Sequence, residues 1–476
     1  MKRKTNNKLE ENYNKKFKFT IDDSFLKNCS EEFNNSTANI IAKNVVTNVG
    51  FIHATTDHEE VRNISHVFLN SIKKKNLKST NQGASGRCWI FSGLNMFRHN
   101  VINALDLDNF EFSETYLFFW DKFERSNCFL QWIDNIVSKD EIINIDDKFF
   151  DYLIDNEKWM SDGGYWSNFA NLVEKYGLIP KTAMPETFHS EYSEDMNIVI
   201  TNILQSCAAK LSKLQKNNLE RQIIITDTLK QVYNTLVKFL GEPPKKFKWD
   251  YTNESGESAS IDNLTPPSFK EMVIPGIDLN DFVLISNIPS KTFKYYKKYA
   301  VDNTNNVIEK SNCEFINLPI NELKKYAKKS ILAGLPVWFA GDVGKGYNPF
   351  HSVLNDKVNN DDLLFGNTHK MNKEDRLNFC NQKTTHAMTL VGVNLDNNDY
   401  TTTWQVENSW GFYDNETPGL DGFLCMNDNW FNEYLGQVVI HKKFLSRNLQ
   451  KIIDSEPIHI KPWESVAPAL KVSPKK

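Results

Sequence analysis

Cys88 stands where a protein can activate a nucleophile, at the predicted start of a helix. The residues after it are apolar at helical spacing, namely Ile90, Leu94, Phe97, Val101 and Leu105. A thiol attacks a carbonyl as the thiolate, and a helix N-terminus together with an imidazolium can lower a cysteine pKa from about 8.5 to roughly 3.5 to 7.5. We therefore expect Cys88 to be the nucleophile of a covalent reaction.

The loop before Cys88, with the sequence NQGASGRC, predicts a site for a negatively charged oxygen. Gly83 and Gly86 allow the backbone of this loop to fold tightly. In such a turn the side-chain amide of Gln82 and the backbone N–H of Cys88 can face one oxyanion. Gln82 is thus the predicted oxyanion donor.

His386 and Asn408 are the predicted partners of the thiol. His386 opens the strand-like run THAMTLVGV, and Asn408 follows the next such run in VENSWG, so a hairpin can bring them side by side. The Asn408 amide oxygen can then accept one ring N–H and leave the other ring nitrogen for Cys88. Trp410 is expected to cover this pair and exclude water.

Each of these residues has a commoner explanation when it is taken alone. A cysteine in an apolar helix is usually an inert buried thiol. A histidine at the start of an apolar strand is usually a core residue, and an asparagine after a strand is usually part of a turn. The combination of nucleophile, base and orienting amide is what favours covalent catalysis.

The elements around these residues predict an α+β fold in which helices come first and strands last. Residues 193–240 contain two apolar stripes at helical spacing, and the second ends before Gly241. After Cys380 the pattern changes to strands, in AMTLVGVNL, YTTTWQVEN, GFLCM and QVVIH. Phe282–Ser286 is a further short strand candidate. This order suggests two lobes, one helical and one β-rich, with a cleft between them.

Composition excludes several classes of protein. The formal charge of -4 provides no overall attraction for nucleic acid, although the first twenty residues hold seven Lys or Arg against two Glu. That basic segment is expected to be a solvated tail, and contact with nucleic acid or a targeting role stays open. Seven scattered cysteines favour buried thiols over a disulfide framework. The N-terminus lacks a secretory h-region and no stretch is long enough for a membrane helix, so we expect a cytoplasmic protein without membrane contact.

No cofactor or metal is expected. The run GDVGKGY at residues 341–347 contains Gly-Lys but lacks the spacing of a phosphate-binding loop. Residues 57–60, DHEE, place possible metal ligands at one point without a second His or Cys at ligand spacing. Both segments are predicted to be ordinary loops.

The same motifs carry a family resemblance. The segments NQGASGRCW, THAMT and VENSWG resemble the Gln, Cys-Trp, His and Asn-Ser-Trp-Gly motifs of papain-like cysteine peptidases, in the same chain order. QGASGRCWIFSGLN, SETYLFFWDK, DGGYWSNFANLVEKYGLIPK and DVGK are similar to one branch, the bleomycin hydrolase and aminopeptidase C family. The resemblance runs from about residue 60 to the C-terminus.

The resemblance implies more than the residues do. It implies a papain-like two-lobed fold with inserted helical or hook segments and a C-terminal arm in the cleft. It also implies cytosolic homohexamers whose active sites face an inner channel, and aminopeptidase activity on peptides and on the amide of bleomycin. Cys88, His386 and Asn408 match the family's catalytic positions and Gln82 its oxyanion position, with Trp89 and Trp410 as supporting residues.

The C-terminal arm is expected to control specificity. It resembles the family over residues 456–470, with Trp463 and Leu470 as the arm residues, although Glu464, Ser465 and Pro468 depart from the usual Asp, Pro and Ala. Residues 471–476 continue past the family's usual end and would bring lysines towards the substrate's ammonium group. Two outcomes follow: the tail swings out into the channel, or the enzyme trims it with its own Cys88. We favour trimming to near Leu470.

The predicted organisation has five segments. They are an N-terminal arm at 1–60, a helical lobe with the catalytic cysteine at 61–190, an inserted helical or hook region at 191–290, a β-rich lobe at 291–460, and the C-terminal arm and tail at 461–476. The predicted function is a papain-like cysteine aminopeptidase. The alternatives are an endopeptidase, if the arm is displaced, and a catalytically idle papain-fold binding protein.

Overall fold

The computed structural model describes residues 20–74, 77–139, 148–155, 158–366, 371–411 and 422–464. The α-helices are α1 (Asp23–Asn34), α2 (Thr37–Val49), α3 (Phe51–Thr55), α4 (His58–Arg62), α5 (Cys88–Leu105), α6 (Glu114–Ile136), α7 (Lys148–Ile154), α8 (Trp166–Tyr176), α9 (Phe188–Glu191), α10 (Glu194–Leu211), α11 (Glu220–Leu240), α12 (Pro266–Val273), α13 (Ile320–Leu332), α14 (Asp362–Phe365), α15 (Lys373–Asn378), α16 (Asp428–Tyr434) and α17 (Arg447–Ile453). The strands are β1 (Asn70–Ser71), β2 (Phe247–Thr252), β3 (Ser258–Leu264), β4 (Phe282–Ser286), β5 (Lys297–Val301), β6 (Cys313–Asn317), β7 (Val337–Gly341), β8 (Tyr347–Asn348), β9 (Val353–Leu354), β10 (His386–Leu395), β11 (Thr401–Glu407), β12 (Phe423–Asn427), β13 (Leu435–His441) and β14 (Ile458–Ile460).

The chain forms two compact units, and the smaller one contains α1, α2, α3 and α14. Side chains cap the N-termini of the first two helices. Asp22 accepts a hydrogen bond from the backbone N–H of Phe25, and Ser36 accepts one from the backbone N–H of Asn39. Within this unit the rings of Phe51 and Phe365 stack with their centroids 6.0 Å apart. Helices α1 and α2 bury none of their residues.

The larger unit is built on one mixed sheet. Among the described residues the strand order is β14-β5-β6-β4-β13-β7-β10-β11-β12-β9-β8, and β1 pairs with β10 at the side. Most neighbours are antiparallel, while β4–β6, β5–β14 and β9–β12 are parallel. The separate hairpin β2–β3 lies off this sheet.

Both faces of the central strands are buried. Along β7, Trp338 and Ala340 belong to a core shared with the helices, whereas Val337 and Phe339 belong to a core on the opposite face. A strand covered on both faces has no position for a polar side chain, which explains the unbroken apolar sequence VWFAG. The sheet is therefore a rigid support for residues at the ends of its strands.

In the larger unit, helices from the first half of the chain pack on one face of the sheet, and α13 packs on the other. Helix α5 packs on β10 and β7, and α6 packs on α8, α10 and α11. Buried side chains lie on every side of α5, since it is enclosed by the sheet and by neighbouring helices. This arrangement places the start of α5 beside the start of β10.

The predicted elements agree well with this fold. The two helices predicted within residues 193–240 are α10 and α11, and Phe282–Ser286 is β4. The four strands predicted after Cys380 are β10 to β13. The predicted α+β class is confirmed. The division into five segments stays a prediction; β4, which it assigned to the inserted region, pairs in the main sheet with β13 and β6.

Candidate active site

Cys88 is the first residue of α5 and is fully buried. The next residue, Trp89, fixes the start of the helix through two hydrogen bonds. Its indole Nε1 donates to the carbonyl of Asp162 at 2.6 Å, and its own carbonyl accepts from Trp338 Nε1 at 3.2 Å. A side chain at Gly164 would come within 2.5 Å of the Trp89 ring, so the glycine is required for this close packing.

His386 and Asn408 are joined by a hydrogen bond. The register of β10 and β11, with Thr389 opposite Glu407, brings the start of one strand to the end of the other. His386 Nε2 lies 2.7 Å from Asn408 Oδ1, and both residues are buried. The half-buried Trp410 stacks on the imidazole with ring centroids 4.5 Å apart and an interplanar angle of 23°. The predicted hairpin and the predicted position of Trp410 are both present.

Gln82 is buried, and both ends of its side-chain amide are held. Its Nε2 donates to the Ser85 carbonyl at 2.6 Å, and its Oε1 accepts from Ser409 Oγ at 2.7 Å. Gly83 adopts φ +61°, and a Cβ there would lie 2.8 Å from the Cβ of Glu191. The glycine predicted to allow a tight loop therefore meets two requirements, a left-handed backbone and close packing.

Two distant chain segments pair directly at the site. Gln82 N donates to the Ser409 carbonyl and Gly411 N to the Thr80 carbonyl, each at 2.9 Å. Asn81 and Trp410 form an antiparallel bridge between these bonds. We define residues 79–82 and 409–411 as the site ribbon. The site ribbon ties the loop before Cys88 to the residues that follow Asn408.

The electrostatics of the site favour uncharged groups. Burial raises the pKa of the Cys88 thiol to about 12. The backbone N–H groups of Ala387, Trp89 and Cys88 itself lower this pKa, but their effect is smaller. Burial lowers the pKa of His386 to about 4. The hydrogen bond to Asn408 raises this pKa, but its effect is smaller. The expectation of a lowered cysteine pKa at the helix start is thus not met in this arrangement, because desolvation outweighs the helix N–H groups.

The Ala387 N–H also locates the thiol. This group belongs to the residue after His386 and faces the Cys88 sulfur closely enough to stabilise its thiolate. Cys88, at the start of α5, is therefore in contact with the first residues of β10.

A cavity of about 360 Å³ opens beside these residues. Its lining consists of Gln82, Gly83, Ala84, Ser85, Val343, Gly344, Tyr347, Thr385, His386 and Trp410. The lining combines the predicted oxyanion loop, the predicted base and an aromatic wall in which Tyr347 meets Trp410 edge to face, with centroids 5.5 Å apart. The volume suits one or two amino-acid residues of a bound chain.

Asp162 is a site residue that the sequence analysis did not identify. Burial raises its pKa, but the Lys122 ammonium and hydrogen bonds from Ser193 and Asn197 hold that pKa below its usual range. The ionised carboxylate accepts the Gly86 N–H at 3.1 Å and raises the pKa of Cys88. Asp162 is the first residue of the segment DGGYWSNFANLVEKYGLIPK. A carboxylate directly before two glycines was the only hint of its role in the local sequence.

Only part of the predicted specificity arm lies among the described residues. Strand β14 pairs with β5, and Lys461 Nζ donates to Asp302 at 2.7 Å. Trp463 packs partly against the helical core, with its ring centroid 6.3 Å from that of Phe149. Leu470 and the extension that we expect to be trimmed lie outside the described residues.

Comparison with known proteins identifies the family. Residues 20–467 match the Peptidase C1-like family. The chain is 34% identical to aminopeptidase C of Listeria monocytogenes over 439 residues, which cover 92% of this chain and 96% of that protein. It is also 34% identical to human bleomycin hydrolase over 442 residues, which cover 91% of this chain and 95% of that protein.

A solved structure confirms the fold. The crystal structure of PepW from Lactobacillus rhamnosis superimposes with a TM-score of 0.87 at 31% sequence identity, covering 94% of this chain and 98% of that one. The predicted papain-like fold and the predicted resemblance are thereby confirmed. The chain belongs to the Peptidase C1-like family, and within it to the group of aminopeptidase C and bleomycin hydrolase.

Proposed function

We propose that this protein is a cysteine aminopeptidase in which Cys88 is the nucleophile, His386 the base, Asn408 the orienting residue and Gln82 an oxyanion donor. The observation that carries the proposal is the 2.7 Å bond between His386 Nε2 and Asn408 Oδ1, beside a cysteine at a helix start. The relatives named aminopeptidase C support the reaction class, with peptides as substrates.

The hydrogen bonds of Asn408 favour one nitrogen of His386 as the base. Asn408 Oδ1 also accepts the Ser409 N–H at 2.8 Å, so this atom is the amide oxygen and the bond from His386 must be donated by Nε2–H. The neutral imidazole then carries its lone pair on Nδ1. This nitrogen is the base for the Cys88 thiol.

The reaction starts from the uncharged pair. His386 Nδ1 takes the proton of Cys88 while the sulfur attacks the scissile carbonyl, which forms the S–C bond and moves a negative charge to the carbonyl oxygen. The second Nε2 hydrogen of Gln82, the one not bound to Ser85, and the Cys88 N–H stabilise this oxyanion. The first turn of α5 favours the same charge.

His386 then returns its proton to the leaving amine, and the C–N bond breaks to leave an acyl-enzyme. Water enters, His386 Nδ1 removes its proton, and hydrolysis restores the free thiol. In each half the imidazolium is stabilised by Asn408, and Trp410 keeps water from that hydrogen bond.

The test compares Cys88→Ala with Cys313→Ala, which removes another fully buried thiol. Cys88→Ala should lose all hydrolysis of aminoacyl-aminomethylcoumarin substrates and still unfold at the same urea concentration within error. Cys313→Ala should keep its turnover. Hydrolysis by pure Cys88→Ala at the wild-type rate would refute the mechanism.

The aminopeptidase assignment is tested with matched substrates. The same coumarin amide is offered with a free and with an acetylated N-terminus. Only the substrate with the free amine should be cleaved. Equal cleavage of both substrates would favour the endopeptidase alternative. If neither substrate is cleaved, the result would favour the catalytically idle binding protein.

Assembly and location stay predictions. We expect this protein to be a homohexamer, so analytical ultracentrifugation should give a mass near six times the chain mass of 55.1 kDa. No helix among the described residues has both the length and the hydropathy needed to cross a bilayer. The cytoplasmic location is likewise a prediction, and contact between the basic N-terminal segment and nucleic acid stays open.

A further inference from the structure

Arg87, the residue before Cys88, is fully buried. Its guanidinium lies 5.0 Å from the centroid of the Phe91 ring and 5.4 Å from that of Phe118. A buried cation is costly unless it is paired and fully hydrogen-bonded. The role of Arg87 therefore depends on the groups that pair with its guanidinium.

One side of the guanidinium binds the loop that carries Gln82. Arg87 Nε donates to Ser85 Oγ at 2.8 Å, and Nη2 donates to the Gln82 carbonyl at 3.4 Å. Ser85 Oγ in turn donates to the Gln82 carbonyl at 2.6 Å, while Gln82 Nε2 donates to the Ser85 carbonyl at 2.6 Å. These bonds form a closed network around the side chain proposed to hold the oxyanion.

The other side of the guanidinium binds Glu186, a residue outside the loop. Arg87 Nη2 lies 2.9 Å from Oε2 of this carboxylate and Nη1 lies 3.2 Å from Oε1. Ser190 Oγ donates to Glu186 at 2.5 Å, and Lys181 Nζ lies 4.0 Å away. Burial raises the pKa of Glu186, but Arg87 and these neighbours hold it below its usual range, so the pair is ionic.

We infer that Arg87 is a positioning residue for the oxyanion, acting through Ser85 and Gln82 and anchored by Glu186. The inference rests on the proposed function. A donor stabilises a transition state only if it already points to where charge develops, and the planar fork of arginine can bind the loop and the anchor together. A lysine has one flexible nitrogen and cannot replace these bonds.

The inference separates two reactions of the same thiol. Acyl transfer, and addition of Cys88 to an aldehyde, both develop negative charge on an oxygen during the addition step, and Gln82 is proposed to stabilise that charge. Alkylation by iodoacetamide forms an S–C bond as iodide leaves and the thiol proton passes to His386, and it creates no such oxygen. Loss of positioning should therefore slow the first kind of reaction and leave the second unchanged.

The test variant is Arg87→Lys, with Arg221→Lys as control. Arg221 is also buried, binds carbonyl oxygens and lies 2.6 Å from Asp134, outside the proposed site. Arg87→Lys should lower kcat on an aminoacyl-coumarin by about 10- to 100-fold and slow the addition of a leucine aldehyde to Cys88 by a similar factor. Alkylation of Cys88, followed by mass spectrometry of its peptide because Cys29 and Cys380 are exposed, should stay within twofold.

Two further variants keep the test decisive. Ser85→Ala removes the hydroxyl between Arg87 and Gln82 and should give a smaller loss of the same pattern, even if Arg87→Lys does not fold. In a Gln82→Ala background, which itself should lose about 10²- to 10³-fold in kcat, Arg87→Lys should cost less than a further threefold.

Several results would overturn the inference. These are an unchanged kcat in both Arg87→Lys and Ser85→Ala, alkylation slowed in parallel with kcat, or a loss that adds fully to that of Gln82→Ala. A parallel loss in Arg221→Lys would show a general effect on folding. A wild-type protein that cleaves no aminoacyl-coumarin would instead refute the proposed function, which separates the two failures.

Discussion

Replacement of Asn408 by leucine isolates the bond that orients the base. Leucine has the same branched heavy-atom shape as asparagine and is somewhat larger, so Asn408→Leu removes the acceptor for His386 Nε2 without opening a space for water. The bond measures 2.7 Å, and both residues are almost fully buried. Only the contact with the ring and the acceptor for the Ser409 N–H are lost.

The size of the effect follows from the charge that the bond stabilises. In the transition state the ring is an imidazolium, and a hydrogen bond to a charged group contributes about 1.5 to 3 kcal/mol. At 1.36 kcal/mol for each tenfold change, kcat should fall by about 10- to 150-fold. The loss should be well short of that in Cys88→Ala, because the thiol and the imidazole are both retained.

The pH profile gives an independent reading. The bond to Asn408 raises the pKa of His386, which burial lowers to about 4. Its removal favours the neutral ring further, so the acid limb of kcat/KM should move to lower pH in Asn408→Leu. Asn287→Leu is the matched control, since Asn287 is a buried asparagine that binds the Leu318 carbonyl. A kcat within threefold of wild type, or an acid limb moved to higher pH, would contradict the assigned role.

Three further predictions concern pH, the loop and the sheet. The pKa of His386 is about 4 in the folded protein and near 6.5 in the unfolded chain, so the unfolded chain binds a proton first as the pH falls. The free energy of unfolding should therefore fall by about 3 kcal/mol between pH 6.5 and pH 4. Urea unfolding of the wild type and of His386→Gln at both pH values measures this loss. Gly83→Ala should lose about 1 to 3 kcal/mol and part of its kcat, because its φ is +61° and its Cβ would meet Glu191; an unchanged melting temperature would contradict the strain argument. Phe339→Ala should destabilise by about 3 to 5 kcal/mol in urea titrations, with kcat retained once folded, because Phe339 is fully buried in the core away from α5.

Local patterns were enough to predict the parts of the site that lie on regular elements. The apolar stripe after Cys88 predicted α5, and alternation around His386 and Asn408 predicted the hairpin that joins them. In each case the signal lies within about twenty residues of the side chain concerned. Helical and strand periods are properties of such short windows.

The groups that tune the site could not be found in this way. Asp162 and Lys122 pair across 40 positions and Arg87 and Glu186 across 99, in stretches without any shared period. The direction of the Cys88 pKa was also missed. It depends on complete burial, which the packing of α5 against the sheet decides and the local sequence does not.

The site ribbon has a consequence for biosynthesis. Its two segments are separated by 327 positions, the interval between Gln82 and the Ser409 hydroxyl that holds its amide. At roughly 5 to 20 residues per second, a ribosome needs about 16 to 65 s to pass from one to the other. For most of that time the emerging chain has the Cys88 thiol but neither the proposed base, His386, nor Ser409, the partner of the Gln82 amide. The proposed catalytic groups can therefore come together only after residue 409 has been translated.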